Sequence, residues 1–139
     1  MKKPLLLFAI KCSVILYFAA CTRIDKITTA VSATPHVTKG AWKINLYIES
    51  KNDKTAAFDG CKLTFEPTGK IIAYKNGETI TGNWAEDDIL KRITINLDTK
   101  DPALAKLNNY WNISNISKWQ LSFKTAKNPI ISQMQITSL

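Results

Sequence analysis

The stretch WKINLYIE, residues 42–49, decides the fold class because apolar and polar side chains alternate strictly along it. One face carries Trp42, Ile44, Leu46 and Ile48, and the other carries lysine, asparagine, tyrosine and glutamate. Alternation with a period of two over eight residues indicates a β-strand that buries one of its faces. We therefore expect the face that begins with Trp42 to lie against the core.

The same alternation recurs in segments separated by turn residues. Pro67-Thr68-Gly69 is typical of a turn, since proline presets φ and glycine accepts a positive φ. Asn76-Gly77 is a strong hairpin signal, because both residues tolerate the left-handed conformation of a type I′ turn. The further strands expected from this pattern cover residues 61–66, 70–75, 79–84, 90–97, 111–116, 118–124 and 130–137.

About eight short strands with short links favour antiparallel neighbours. A meander with one apolar face is expected to close on itself, because closure removes unpaired edges. The sequence therefore predicts an all-β fold, an antiparallel up-and-down barrel or half-open barrel of about eight strands. One short helix is expected over residues 101–107, with Asp101 as its cap and Pro102 at its first position. Residues 50–60 are polar and are expected to form a loop.

Residues 1–20 have the organisation of an export signal, with a basic start, a mostly apolar middle and the small pair Ala19-Ala20 before Cys21. FAAC at 18–21 resembles the lipobox of bacterial lipoproteins, with Phe18 in place of the usual leucine. The resemblance implies that Cys21 is lipidated and becomes the first residue of the mature protein. The alternatives are cleavage without lipid and a transmembrane anchor, although a bilayer span needs about 20 apolar residues and Lys11 interrupts this stretch.

A cysteine of this kind carries three acyl chains, and two such membrane signals already give stable anchoring. The expected partner of Cys21 is therefore a membrane. No aspartate follows Cys21 directly, so the sorting rules of enterobacteria would give an outer-membrane location. The predicted organisation is a signal peptide over residues 1–20, a lipidated cysteine and tether over 21–38, and a barrel domain over 39–139.

The charge pattern argues against nucleic acid as a partner. Of the 19 lysines and arginines, three lie in the first 20 residues, so 16 remain against 11 acidic residues. These basic residues are scattered along the chain, whereas nucleic-acid binding usually needs them clustered on one face. A solvated surface that tolerates an anionic membrane is the expected outcome.

Short motifs in the same order resemble the lipocalin-like domains of small bacterial lipoproteins. They are Gly40-Ala41-Trp42, Leu63-Thr64-Phe65, Thr81-Gly82-Asn83-Trp84 and the later segment from Trp111 to Phe123. The resemblance covers residues 39–139 and implies a calycin-type barrel that binds a small apolar ligand or lipid. Lipocalins also place an arginine near their last strands, and no arginine follows Arg92 here, so this arginine contact is either missing or made by Lys124 or Lys127.

Four tryptophans and one tyrosine are the candidates for a binding site. Trp42, Trp84 and Trp119 share a face with aliphatic neighbours and are expected to fill the core. Barrels of about eight strands hold either packed side chains or one small ligand. Trp42, Trp84, Tyr110 and Trp111 are therefore the candidate ligand-binding residues, with Tyr110 and Trp111 as a stacking pair at the rim.

No pattern in the mature chain indicates catalysis, a metal or a cofactor. His36 is the only histidine and lies in the expected tether, which is a poor place for a general base. Cys61 is the one cysteine left once Cys12 is removed and Cys21 is acylated, and its place at the start of a strand predicts a buried thiol. Zinc needs more cysteine and histidine ligands than these two.

Two hypotheses for function follow. The first is a membrane-anchored, non-enzymatic lipocalin-like lipoprotein that binds a small apolar ligand or lipid. The second is a barrel with a packed core that serves as a protein–protein interaction subunit of the bacterial cell envelope. The number of indoles favours a filled interior, and the family resemblance favours a cavity.

Overall fold

The computed structural model describes residues 32–127 and 130–139. The expected signal peptide, Cys21 and the first part of the tether lie outside the described residues, as does the break expected at Asn128-Pro129. Within the described part, no helix has the length and apolar character needed to cross a membrane.

In the described part of the chain, nine strands form a single antiparallel sheet that closes on itself. The sheet order is β1-β3-β4-β5-β6-β7-β8-β9, β9 pairs with β1, and β2 is an extra short strand on the other edge of β1. This confirms the all-β barrel of eight strands and decides for the closed form. The strands are β1 Ala41–Glu49, β2 Asn52–Asp53, β3 Lys62–Phe65, β4 Lys70–Lys75, β5 Glu78–Asp87, β6 Arg92–Leu97, β7 Asn109–Ile116, β8 Gln120–Lys127 and β9 Ile130–Ser138.

The hairpins follow the turn chemistry of the sequence. Asn76 and Gly77 have φ values of 53° and 84°, as the expected left-handed turn requires, and they join β4 to β5. The β5 strand continues to Asp87, beyond the expected end at Trp84, so the next turn begins at residue 88. Gly82 lies inside β5, where an added Cβ would meet the carbonyl oxygen of Asn96 at 2.1 Å, so a glycine lets β5 and β6 approach closely.

The β1 strand departs from strict alternation. Its register with β9 shifts between Ile44 and Leu46, which is the signature of a β-bulge. The extra residue turns Tyr47 into the core, where it is buried, and leaves Leu46 and Ile48 half-buried. The expectation that Leu46 and Ile48 share the buried face of Trp42 is therefore wrong beyond the bulge.

Short helices cover the two open ends of the barrel. One turn of helix, α1 (Thr34–Val37), packs where β1 begins, with Ala33 and Val37 buried. The second, α2 (Pro102–Ala105), covers the other end together with a 3-10 helix over Thr55–Phe58. We call these the α1 end and the α2 end. The expected helix is confirmed, whereas the expected loop over residues 50–60 also contains β2 and the 3-10 helix.

The core fills the space between these two covers. Its side chains come from every barrel strand and from both caps. The largest fully buried side chains are Trp42, Trp111, Tyr47, Phe58, Phe65, Leu63, Ile71, Ile93, Leu104, Leu107, Leu121 and Met134.

Candidate functional site

The predicted binding tryptophans are structural members of the core. Trp42, Trp84 and Trp111 are all buried, and each indole N–H donates to a backbone carbonyl oxygen. The acceptors are Val37 for Trp42 at 2.7 Å, Glu66 for Trp84 at 2.8 Å and Leu107 for Trp111 at 2.9 Å. A buried indole usually finds such a partner. Because all three indole N–H groups donate within the protein, none of them is available to a ligand.

Tyr110 and Trp111 do not form a joint surface. They are consecutive residues of β7, so their side chains point to opposite faces of the sheet. Trp111 is buried, and the Tyr110 ring lies outside with the Arg92 guanidinium 5.5 Å from its centroid. The rim pair suggested by the sequence is therefore not present.

Aromatic rings pack against one another across the interior. Tyr47 lies 4.7 Å from Phe58 and 6.0 Å from Trp111, measured between ring centroids. Phe65 and Trp84 meet edge to face at 5.5 Å. These are ordinary separations for packed aromatic pairs. The rings occupy the space in which a lipocalin-like barrel would hold a ligand.

Trp119 lies outside the core, so its predicted burial is wrong. The chain bends at residues 118–119 and β8 begins only at Gln120. The alternation that places Leu121 and Phe123 inward therefore does not extend back to Trp119, which is 61% exposed. The ammonium group of Lys118 lies 4.4 Å from the centroid of its ring.

A hollow that we call the side groove opens between β1 and the segment before β3. The pairing of β1 with β3 covers only Ala41 and Trp42, and the 3-10 helix occupies the space that this leaves. The groove has a volume of about 410 Å³. Its apolar lining comes from Ile44, Phe58 and Leu139, and lysines stand at its edge.

Cys61 lies beside this groove and is buried, as the sequence predicts. Burial raises the pKa of the thiol to about 11, a rise that Lys75 opposes and Asp101 increases. A thiol with this pKa stays protonated at neutral pH, and the thiolate is the nucleophilic form. His36 belongs to α1, at the other end of the barrel, so the structure does not bring these two residues together.

A smaller polar pocket of about 170 Å³ lies at the α2 end. The buried residues Tyr47, Thr125 and Ser132 line it, and a 2.6 Å ion pair between Lys106 and Glu49 stands at its edge. Burial raises the pKa of Tyr47, while its hydrogen bond with Ser132 lowers it and Glu49 raises it further. The volume suits a few water molecules, which commonly satisfy such buried hydroxyls.

The α1 end carries a carboxylate that binds the chain before β1. Glu86 accepts hydrogen bonds from the Ser32 hydroxyl at 2.8 Å, the Ala33 amide at 2.5 Å and the Thr34 amide at 2.8 Å. The Thr34 hydroxyl donates to the same carboxylate. Residues 32–38, expected to be part of the tether, are thus packed on the barrel.

Two turns at the α1 end expose large apolar side chains. Ile89 is 91% exposed and Leu90 is 54% exposed, both in the turn between β5 and β6. Together with Trp119 of the turn between β7 and β8, we call these residues the apolar tips. The sequence contains a signal for the first pair, since Ile89-Leu90 stands between Glu86-Asp87-Asp88 and Lys91-Arg92, where a hairpin turn is normally polar.

Among the side chains of the described ranges, no three histidine, cysteine, aspartate or glutamate residues are grouped as a metal site would need. The side groove is lined by apolar groups, lysines, Asp59 and the Cys61 thiol, and the polar pocket by hydroxyl and amide groups and the Lys106–Glu49 ion pair.

Comparison with known proteins supports the architecture. No family model matches the chain, and no curated protein matches it. Among solved structures, a DUF4847 family protein from Bacteroides vulgatus is similar with a TM-score of 0.61 at 14% sequence identity. The match covers 78% of this chain and 98% of that protein. At this identity the likeness concerns the fold alone, so the chain shares its barrel architecture with a DUF4847 family protein.

Proposed function

We propose that the protein is a lipid-anchored, non-enzymatic lipocalin-like barrel of the bacterial cell envelope that acts through its outer surface as an interaction subunit. The observation that carries this proposal is the filled interior. Trp42, Trp84 and Trp111 are buried with their indole donors satisfied, and the buried rings of Tyr47 and Phe58 pack against each other. A barrel of this width accommodates either packed side chains or one small ligand.

The anchoring part of the proposal rests on the resemblance of FAAC at residues 18–21 to a lipobox. Three acyl chains on Cys21 would hold the domain at a membrane, with the outer membrane as the proposed location. The non-enzymatic part is supported by the separation of His36 from Cys61 and by the raised pKa of the Cys61 thiol.

Native mass spectrometry of the full-length protein, extracted from membranes in mild detergent, tests the proposal. We expect a chain that lacks residues 1–20, carries the mass of acyl chains on Cys21, and retains either a polypeptide partner or nothing. A stoichiometric small apolar molecule that survives extraction would contradict the surface role. An intact Met1 would contradict the anchoring.

The side groove favours a second candidate, the binding of a small apolar ligand or lipid. Its volume of about 410 Å³ falls within the ordinary range of ligand pockets. Titration with a fluorescent fatty acid tests this candidate, with Leu139→Ser altering the groove and Leu90→Ser as a similarly exposed control elsewhere. Saturable binding that only Leu139→Ser weakens would favour the ligand role, and the surface role predicts no saturable binding.

A further inference from the structure

The topology brings the two turns with the apolar tips to one end of the barrel. In an antiparallel meander, alternate turns lie at the same end. The turns at residues 88–91 and 117–119 are therefore both at the α1 end, where β1 begins. Direct contacts agree with this placement, because the Ser138 amide at the end of β9 donates to the Trp119 carbonyl oxygen at 2.9 Å, and Ser138 is paired with Trp42.

The chain that leads back to Cys21 leaves the barrel at this same end. Ser32 and Thr34 are bound to Glu86, and one residue later Asp87 begins the base of the turn that carries Ile89 and Leu90. Ten residues separate Cys21 from Ser32. A chain of that length spans at most about 40 Å. The described chain therefore begins, at Ser32, on the side of the molecule that carries the apolar tips, and a tether of this length can bring an acylated Cys21 to a membrane on that side.

The exposure of these tips is costly in water. Ile89, Leu90 and Trp119 are each more than half exposed. At the α2 end the apolar side chains of the helix itself are buried, and Ile130 and Ile131 at the start of β9 are exposed. Exposed apolar groups on neighbouring turns mark surfaces that bind a partner or a membrane. The Lys118 ammonium over the Trp119 ring adds the usual pairing of the membrane interface, in which an indole lies at headgroup depth and a lysine reaches towards water.

We propose that the apolar tips Ile89, Leu90 and Trp119 insert into the headgroup region of the phospholipid bilayer that holds the lipid anchor, so that the barrel stands on the membrane with its α2 end outward. This inference rests on the anchoring in the proposed function. Insertion of the tips fixes an orientation of the barrel that the anchor alone leaves open. In this orientation the polar pocket at the α2 end faces away from the lipid.

The charges near the tips indicate that apolar contact dominates over attraction to anionic lipid. Lys91, Arg92 and Lys118 lie at the two turns, but Asp87 and Asp88 lie beside them, and Arg92 is 3.6 Å from Asp87. A mixed surface of this kind is weakly attracted to anionic headgroups, and salt screens the attraction further. We expect contact with zwitterionic vesicles as well as with anionic ones.

Tryptophan quenching by brominated lipids tests the orientation. The full-length lipoprotein is reconstituted into phosphatidylcholine vesicles with or without bromine on the acyl chains. The Trp119→Phe variant isolates the signal of Trp119, because Trp42, Trp84 and Trp111 are buried in the barrel. We expect the fluorescence emission of Trp119 to lie at shorter wavelength in plain vesicles than in detergent-free water, and to be quenched in vesicles of brominated lipid.

A double variant gives the second measurement. In Ile89→Ser/Leu90→Ser, the bilayer loses contact with two apolar side chains. This loss should weaken insertion roughly tenfold or more, and brominated lipid should then quench Trp119 much less. Ile131→Ser is the matched control, since Ile131 is 59% exposed at the start of β9, at the α2 end. It should leave the quenching unchanged.

The outcomes separate the two proposals. Flotation of the protein with the vesicles and the mass of the purified chain report the anchor independently of Trp119. An anchored protein whose Trp119 is quenched by iodide in water and not by brominated lipid would overturn the orientation while leaving the anchor intact, and would assign the tips to a protein partner. A chain without acyl groups would overturn the anchor.

Discussion

Glu86 is a single side chain that joins the segment before β1 to the barrel. Burial of the carboxylate favours the neutral form, and hydrogen bonds from Thr34, Ala33 and Ser32 favour the ionised form. The hydrogen bonds together outweigh the burial, so the pKa of Glu86 lies below its ordinary value of 4.5. The N-terminal cover of the barrel therefore depends on a charge that acid removes.

We predict that Glu86→Gln releases residues 32–38 from the α1 end. An uncharged amide accepts weaker hydrogen bonds and carries a donor that meets the Ala33 or Thr34 amide. We expect a loss of about 1.5–3 kcal/mol, as for other hydrogen bonds to a charged group. Hydrogen exchange of the amides that Glu86 binds, Ala33 and Thr34, measures the release directly.

The pH dependence has a definite sign. Because the folded pKa of Glu86 is lowered, its contribution to stability is full above pH 4.5 and declines as the pH falls through the folded value. Glu78→Gln is the control, since Glu78 is an exposed glutamate of the same strand. Equal exchange rates in both variants would contradict this role of Glu86.

At the scale of elements, α2 is too short to be stable by itself. Four residues cannot repay the cost of nucleating a helix, so a cap and tertiary contacts must hold it. Asp101 accepts hydrogen bonds from the Ala103 and Leu104 amides at 2.8 and 2.9 Å, and its other oxygen is 2.9 Å from the Lys75 ammonium. The element in turn buries Leu104 over the α2 end.

We predict that Asp101→Ala destabilises the domain by about 1–2 kcal/mol, the usual cost of removing a helix cap. Asp101→Asn should cost less, because asparagine still caps the helix and loses only the charge opposite Lys75. Urea unfolding of both variants measures the difference. Equal losses for asparagine and alanine would show that the ion pair with Lys75, and not the cap, holds α2.

The lowered pKa of Asp101 fits this picture. Its causes are the hydrogen bond from the Leu104 amide, then the one from Lys75, with partial burial opposing them. The sequence made this element predictable, since Asp101-Pro102 is a local signal that needs no knowledge of the rest of the fold. Asn76-Gly77 is predictable for the same reason.

The bulge in β1 belongs to a different class of feature. Nothing within WKINLYIE indicates that Tyr47 turns inward, because the shift is set by pairing with β9, which lies about 90 residues away in sequence. The burial of Phe58 was equally unpredictable, since a single aromatic residue in a polar loop is not part of any periodic pattern of apolar residues. Long-range closure of the barrel decides both positions.

For the whole molecule, alternation and turn residues were sufficient to predict an antiparallel barrel, closed or half-open, and the structure shows the closed form. They were not sufficient to say whether its interior is open, because that depends on which large side chains point inward together. Tyr47 enters through the bulge, Phe58 enters through the 3-10 helix, and Trp119 leaves at a bend. The filled interior is thus a property of the assembled barrel and not of any single strand.

If the barrel is filled mainly by its own aromatic side chains, removing one should turn it into a binding barrel. We predict that Trp111→Ala lowers the free energy of unfolding by about 3–5 kcal/mol, the usual cost of a buried tryptophan. The space left beside Tyr47 should then bind free indole, whose N–H can donate to the Leu107 carbonyl oxygen that Trp111 occupies at 2.9 Å. Indole should therefore raise the melting temperature of the variant in proportion to its occupancy.

Trp111→Phe separates volume from hydrogen bonding in the same experiment. It keeps most of the ring volume and leaves the Leu107 carbonyl oxygen unpaired, so we expect a loss of about 1–2 kcal/mol and no effect of indole. The wild type should also show no effect, because its own indole fills the site. Stabilisation of the wild-type protein by indole would reveal space beside the aromatic core and would favour a ligand-binding barrel.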